Sequence, residues 1–128
     1  MAINIRRVVT GHDANGKAVV SIDDVGANVA SGRRHMSRQL IWTTDDLPVH
    51  FTEDGEDKGA RDIGTTIQNG SVFRVVEYEP GVAPRNHRTD SIDYAVVMSG
   101  ESTWKWTIPS CISRQGMCSS NGARFTTG

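Results

Sequence analysis

Pro80-Gly81-Val82-Ala83-Pro84-Arg85-Asn86-His87-Arg88-Thr89-Asp90-Ser91-Ile92-Asp93-Tyr94-Ala95-Val96-Val97-Met98-Ser99-Gly100-Glu101 is the stretch that decides the fold. Its first half is turn chemistry: Pro80-Gly81 punctuates the chain and Pro84 keeps it extended. Its second half, Ile92 to Met98, is β-branched and aromatic and ends at Ser99-Gly100, which predicts a buried strand followed by a turn. His87, Thr89 and Asp93 share odd parity. In an extended chain, side chains alternate with period two, so all three point to one face. An imidazole, a hydroxyl and a carboxylate on one face suit either half of a metal site or a polar ligand pocket.

Outward from this stretch the chain reads as short strands between turns. Ile3 to Val9 alternates weakly, and Asp13-Ala14-Asn15-Gly16 is a hairpin turn because Asn-Gly tolerates positive φ. Lys17 to Ile22 returns as the second strand. Asp23 to Ser37 mixes Gly, Asn, Ser and Arg without a helical period, and Gln39 to Thr43 is the next strand. Phe51 to Gly70 is the longest irregular region, and its acidic run Glu53-Asp54-Gly55-Glu56-Asp57 lacks the ligand alternation of a calcium loop, so it reads as solvated. A loop of that length often lines or covers a site. Ser71 to Glu79 is the clearest strand, with apolar residues on both faces as if packed between layers. No segment carries an apolar i, i+3, i+4 pattern of helical length, so the chain is expected to be all-β, a sandwich or a barrel.

The 128 residues match the length of one domain, and a net charge of −1 with both signs dispersed argues against a nucleic-acid partner. No segment approaches the roughly 20 apolar residues of a membrane-spanning helix. Met1 to Val9 lacks the apolar core of a signal peptide, and a cytoplasmic location with no membrane partner is the expectation. Cys111 and Cys118 are too far apart for a C-x-x-C site, His12 at the first turn reads as a solvated side chain, and His35 and His50 have no partner at ligand spacing.

The opening stretch resembles the first motif of the cupin superfamily: a Gly, five residues, His-x-His, three or four residues, Glu, six residues and a Gly. Gly81, His87 and Gly100 stand at the matching positions, Asp93 replaces the Glu and Thr89 replaces the second His. The resemblance implies a jelly-roll (double-stranded β-helix) barrel. It also implies His87, Thr89, Asp93 and Tyr94 as ligand-binding residues, with His87 and Asp93 the candidates for holding a divalent metal such as Fe, Mn, Ni or Zn. Cupin enzymes usually hold such an ion by three His and a carboxylate, and this motif supplies two of the four. Cupins often dimerise, some through N-terminal strands, so a homodimer using Ile3 to Val9 is expected.

After Glu101 the sequence changes. Thr103 to Thr107 still alternates, but from Ile108 the strand period stops where a cupin would continue to a second motif. Read one base earlier, from the last base of the Glu101 codon and with free third bases chosen to suit, the segment yields an Ala-Gly-Asp turn and a Gly-x-x-His-x-Trp run. That peptide resembles the second cupin motif. The expected organisation is therefore a partial, truncated barrel over 1–107 and an aberrant, poorly packed tail over 108–128. The expected function is a small-molecule-binding barrel impaired by loss of its C-terminal strands. The alternative is a metal-dependent enzyme of oxygenase or isomerase type.

Overall fold

Asp13 makes the first hairpin. Its carboxylate Oδ1 accepts hydrogen bonds from the backbone N–H groups of Asn15 (2.8 Å) and Lys17 (2.9 Å), and Gly16 takes the positive φ of 75° that the turn requires. Strands β1 (Arg6–His12) and β2 (Ala18–Val25) pair antiparallel across it, with an irregularity after Val9. The second sheet holds β3 (Val29–Arg33), β4 (Met36–Thr44) and β5 (Ser71–Tyr78) in that order, antiparallel throughout. The Arg34-His35 turn joins β3 to β4, with His35 at φ 64°. Asp23 to Ser37, which has no helical period and in which the sequence predicts no strand, thus contributes the end of β2, the whole of β3 and the start of β4. Alternation was hidden there because β3 carries only two apolar side chains, Val29 and Ala30.

This computed structural model describes residues 3–50, 55–85, 87, 90–104, 111–113 and 116–121, and only the backbone of 103–104, 111–113 and 116–121. All regular structure among them is β, and every strand pair is antiparallel, as a jelly roll requires. The chain divides into two units, Met1–Tyr78 and Glu79–Gly128.

In the first unit the buried side chains are unusually polar: Arg7, Gln39 and Thr43, with Ile3 as the apolar member. Gln39 is fully buried because its amide behaves as a piece of strand backbone. It accepts from the Ile5 N–H and donates to the Ile5 carbonyl, both at 3.0 Å, so neither polar edge is left unsatisfied. Strand β5 forms as expected, but it is not covered on both faces, since Phe73 is 63% exposed.

The second unit begins with a turn in which the Val82 N–H donates to the Glu79 carbonyl (3.3 Å). Pro80 and Gly81 occupy its centre, and the Gly81 φ of 86° is the left-handed value that a type II turn places there. Strand β6 (Ile92–Val97) pairs antiparallel with β9 (Gly116–Asn121), and β7 (Ser102–Trp104) with β8 (Cys111–Ser113). The segment 108–128, read from composition as a tail, therefore carries two strands; its remaining residues and all its side chains lie outside the described set. The burial expected of β6 is corrected. Its residues alternate, with Ile92, Tyr94 and Val96 exposed and Asp93, Ala95 and Val97 half-buried, because period-two geometry turns only one face inward.

Candidate functional site

The motif residues come first. His87 is exposed, and its Nδ1 lies 3.3 Å from the Arg85 carbonyl oxygen. Asp93, half-buried on β6, accepts a long hydrogen bond of 3.4 Å from the Ser91 hydroxyl. Tyr94 is the next residue on that strand, so it projects from the opposite face and is 76% exposed. Thr89 lies outside the described residues. Among the described residues no three of His, Cys, Asp and Glu converge into a possible metal centre. The donor set in view does not fit the three-imidazole, one-carboxylate centre that the motif implies.

The more elaborate polar architecture lies in the first unit. Arg7 sits at an inward position of β1 with a side chain only 2% exposed. Its guanidinium grips two carboxylates: Nε donates to Asp24 Oδ1 (3.1 Å), while Nη1 and Nη2 donate to Asp57 Oδ1 (2.7 Å) and Oδ2 (2.8 Å). Nη2 also reaches Asp24 Oδ2, and Nη1 reaches the Ile41 carbonyl (3.3 Å). Hydrogen bonds donated to Asp24 and Asp57 hold the Arg7 pKa above its ordinary value, against the opposing effect of burial. The Arg7 guanidinium in turn holds the Asp57 carboxyl below the usual carboxylate range, with help from the Gly59 N–H. A Cβ at Gly59 would collide with Arg7 and with the Ile41 carbonyl, so this close approach needs glycine. The acidic run expected to be solvated therefore ends in a structural anchor, because Asp57 meets a buried cation distant in sequence.

Beside it lies a four-charge net. Lys58 Nζ donates to Asp45 Oδ2 (2.9 Å) and approaches Glu56 Oε2 (3.4 Å), while Arg61 pairs with Asp45 and with Glu56 (Nη2 to Oε1, 2.6 Å). Hydrogen bonds from Lys58 and Arg61 lower the Asp45 pKa, and those from Arg61 first lower that of Glu56. With Thr43 Oγ donating to the Lys58 carbonyl (2.7 Å), the net pins residues 56–61 against β4.

These contacts shape a cavity of about 200 Å³. Its floor is one face of the second sheet, where register sets Ala30 against Arg38 and Leu40 against Arg74. Its wall is the loop Ala60–Gly64, tied down where Arg74 Nη2 donates to the carbonyls of Gly64 (3.0 Å) and Thr65 (3.1 Å). Reading the sequence did not single out Arg7, Gln39, Arg38 or Arg74. The available signal was parity: Ile3, Ile5, Arg7 and Val9 alternate, and the Arg occupies an apolar phase.

Comparison with known proteins adds ancestry. The chain matches no family model. It is similar, at 33% identity over 97 residues (73% of this chain and 48% of the relative), to the cupin-domain-containing oxidoreductase fogC of Aspergillus ruber. It is 35% identical over 98 residues (74% and 50%) to the cupin-domain-containing oxidoreductase virC of Hypocrea virens. The phomopsin biosynthesis cluster protein C′ of Diaporthe leptostromiformis is 35% identical over 103 residues (74% and 53%). The chain spans about half the length of the curated relatives it matches.

Proposed function

This chain belongs to the cupin superfamily, and from that premise we propose that it binds a small polar organic molecule through its motif face, with His87, Thr89 and Asp93 as the contacting residues. The observation carrying this reading is the Asp93 carboxylate, half-buried at the motif position and accepting, among the described residues, only a 3.4 Å hydrogen bond from Ser91. A carboxylate drawn out of water needs stronger partners than that, and a ligand hydroxyl or amine would supply them. His87 can donate or accept by choice of tautomer. Tyr94, on the other face of β6, falls outside this contact set.

A ligand that binds only the folded state must raise stability, so a thermal-shift screen with sugars, organic acids and phenolics is the direct test. A hit should lose its shift in His87→Ala and keep it in His12→Ala. Retention in the His87 variant overturns the assignment.

A second reading, metal-assisted oxidation, is favoured by two of the relatives, which are named cupin-domain-containing oxidoreductases. It requires metal ligands beyond His87 and Asp93, and metal analysis of the purified protein tests it. Impairment through the altered sequence after Glu101 also belongs to this proposal. It is tested by the nucleotide sequence across that codon and by ligand binding of the frame-restored chain. A homodimer, the expected assembly, is checked by light scattering of the same samples.

A further inference from the structure

We propose that the cavity over the β3-β4-β5 sheet is a second binding site, independent of the motif face, for a small organic monocarboxylate held by Arg38. Arg38 is half-buried and lines the cavity, yet its guanidinium makes no hydrogen bond or ion pair among the described residues. Drawing a cation partly out of water without a partner is costly, and Arg7, the fully buried arginine of this unit, has two carboxylates. The planar fork of a guanidinium matches a carboxylate through two parallel hydrogen bonds. A carboxylate ligand would complete at Arg38 what Asp24 and Asp57 complete at Arg7.

Charge and shape narrow the ligand class. Arg61 reaches the cavity, but its charge is already spent in the neutral net of Lys58 and Arg61 with Asp45 and Glu56. Arg74 is engaged with the Gly64 and Thr65 carbonyls, which leaves Arg38 as one lining cation without a partner among the described residues, and Asp62 in the same lining repels a more highly charged anion. A monoanion fits that count better than phosphate or a dicarboxylate. Ala30, Leu40 and Ile63 supply apolar wall, so the remainder of the ligand is hydrocarbon. At about 200 Å³ the space lies below the roughly 300–1,000 Å³ of pockets for drug-sized molecules, so the ligand is a short-chain acid.

The experiment is a protein-observed NMR titration of the full chain at low salt with 4-methylpentanoate, its neutral amide 4-methylpentanamide, and inorganic phosphate. The expected result is saturable binding of the carboxylate, with shifts centred on β3 and β4. The amide and phosphate should bind at least tenfold more weakly. Arg38→Gln should weaken the carboxylate at least tenfold, and Arg38→Lys should recover part of that loss because it keeps the charge without the fork. The Lys variant also serves if the Gln variant fails to fold. His87→Ala should bind the carboxylate as the parent does, which separates this site from the motif face. Absence of saturation, equal affinity for acid and amide, phosphate binding as tightly as the carboxylate, or unchanged affinity in Arg38→Gln would each overturn the proposal.

Discussion

The two units of this chain spend their polar residues in opposite ways. In Met1–Tyr78 the buried side chains Arg7, Gln39 and Thr43 have every partner within hydrogen-bonding reach, and those partners come from elsewhere in the sequence. In Glu79–Gly128 the motif residues are local: His87 faces the Arg85 carbonyl and Asp93 faces Ser91, each two positions away. Polar groups satisfied from afar hold a fold together, because each bond closes a long loop and neither partner can be removed without stranding the other. Polar groups satisfied by near neighbours in sequence constrain little beyond their own turn. The polar groups of the first unit therefore serve its architecture, and the ligand contact proposed above lies in the motif of the second.

The contrast breaks most readily at Arg7. Arg7→Ala leaves Asp24 and Asp57 facing each other without their shared cation, and losing one member of a buried ion pair costs about 3–5 kcal/mol. Hydrogen exchange should show β1, β2 and β4 losing protection while β6 keeps its own. Uniform loss across both units would show that the two do not differ in the way argued. Gln39→Leu is the next step down. It strands the Ile5 N–H and carbonyl in a buried site, at about 1–3 kcal/mol for each unsatisfied group, partly offset by the added apolar contact. Urea denaturation measures it, and a neutral result would mean that water reaches Ile5 in the variant.

Legibility in the sequence followed the same division. The motif could be read because its spacing is local: Gly81, His87, Asp93 and Gly100 lie within one turn–strand–turn passage. Hairpin β1-β2 was legible for the same reason, since Asn15-Gly16 announces its turn, and β5 showed through its run of Val and Phe. Strand β3 was not legible, because Ser31, Gly32 and Arg33 carry no apolar period and only pairing with β4 makes them a strand. The cavity was less legible still. It depends on which residues of the 55–70 loop meet β4 and β5, and no spacing rule links Asp57 to Arg7 or Gly64 to Arg74. Arg7 in the apolar phase of β1 was the one trace of that architecture in the chain.

The smallest expected effect sharpens the comparison through pH. Asp57 has a folded-state pKa lowered chiefly by the hydrogen bonds from Arg7. A carboxyl whose pKa is depressed by folding contributes stability that is fully present above its unfolded value, about 4, and is lost as pH falls through the lower folded value. The first unit should therefore hold its stability from neutrality down to about pH 4 and weaken below it. Asp45 and Glu56, shifted the same way, add to the slope, but both are more than a third exposed, so salt should screen their share while Asp57 and the buried Arg7 are screened less. Asp57→Asn should then be less stable than the parent at pH 7 and flatter below pH 4, because the group that takes up the proton is gone. The measurement is the midpoint of urea unfolding, followed by exchange at β1 and β4, across that range in low and high salt. An unchanged acid slope in Asp57→Asn would show that the Arg7 anchor does not set the acid limit, and would move that role to the exposed net of Asp45 and Glu56.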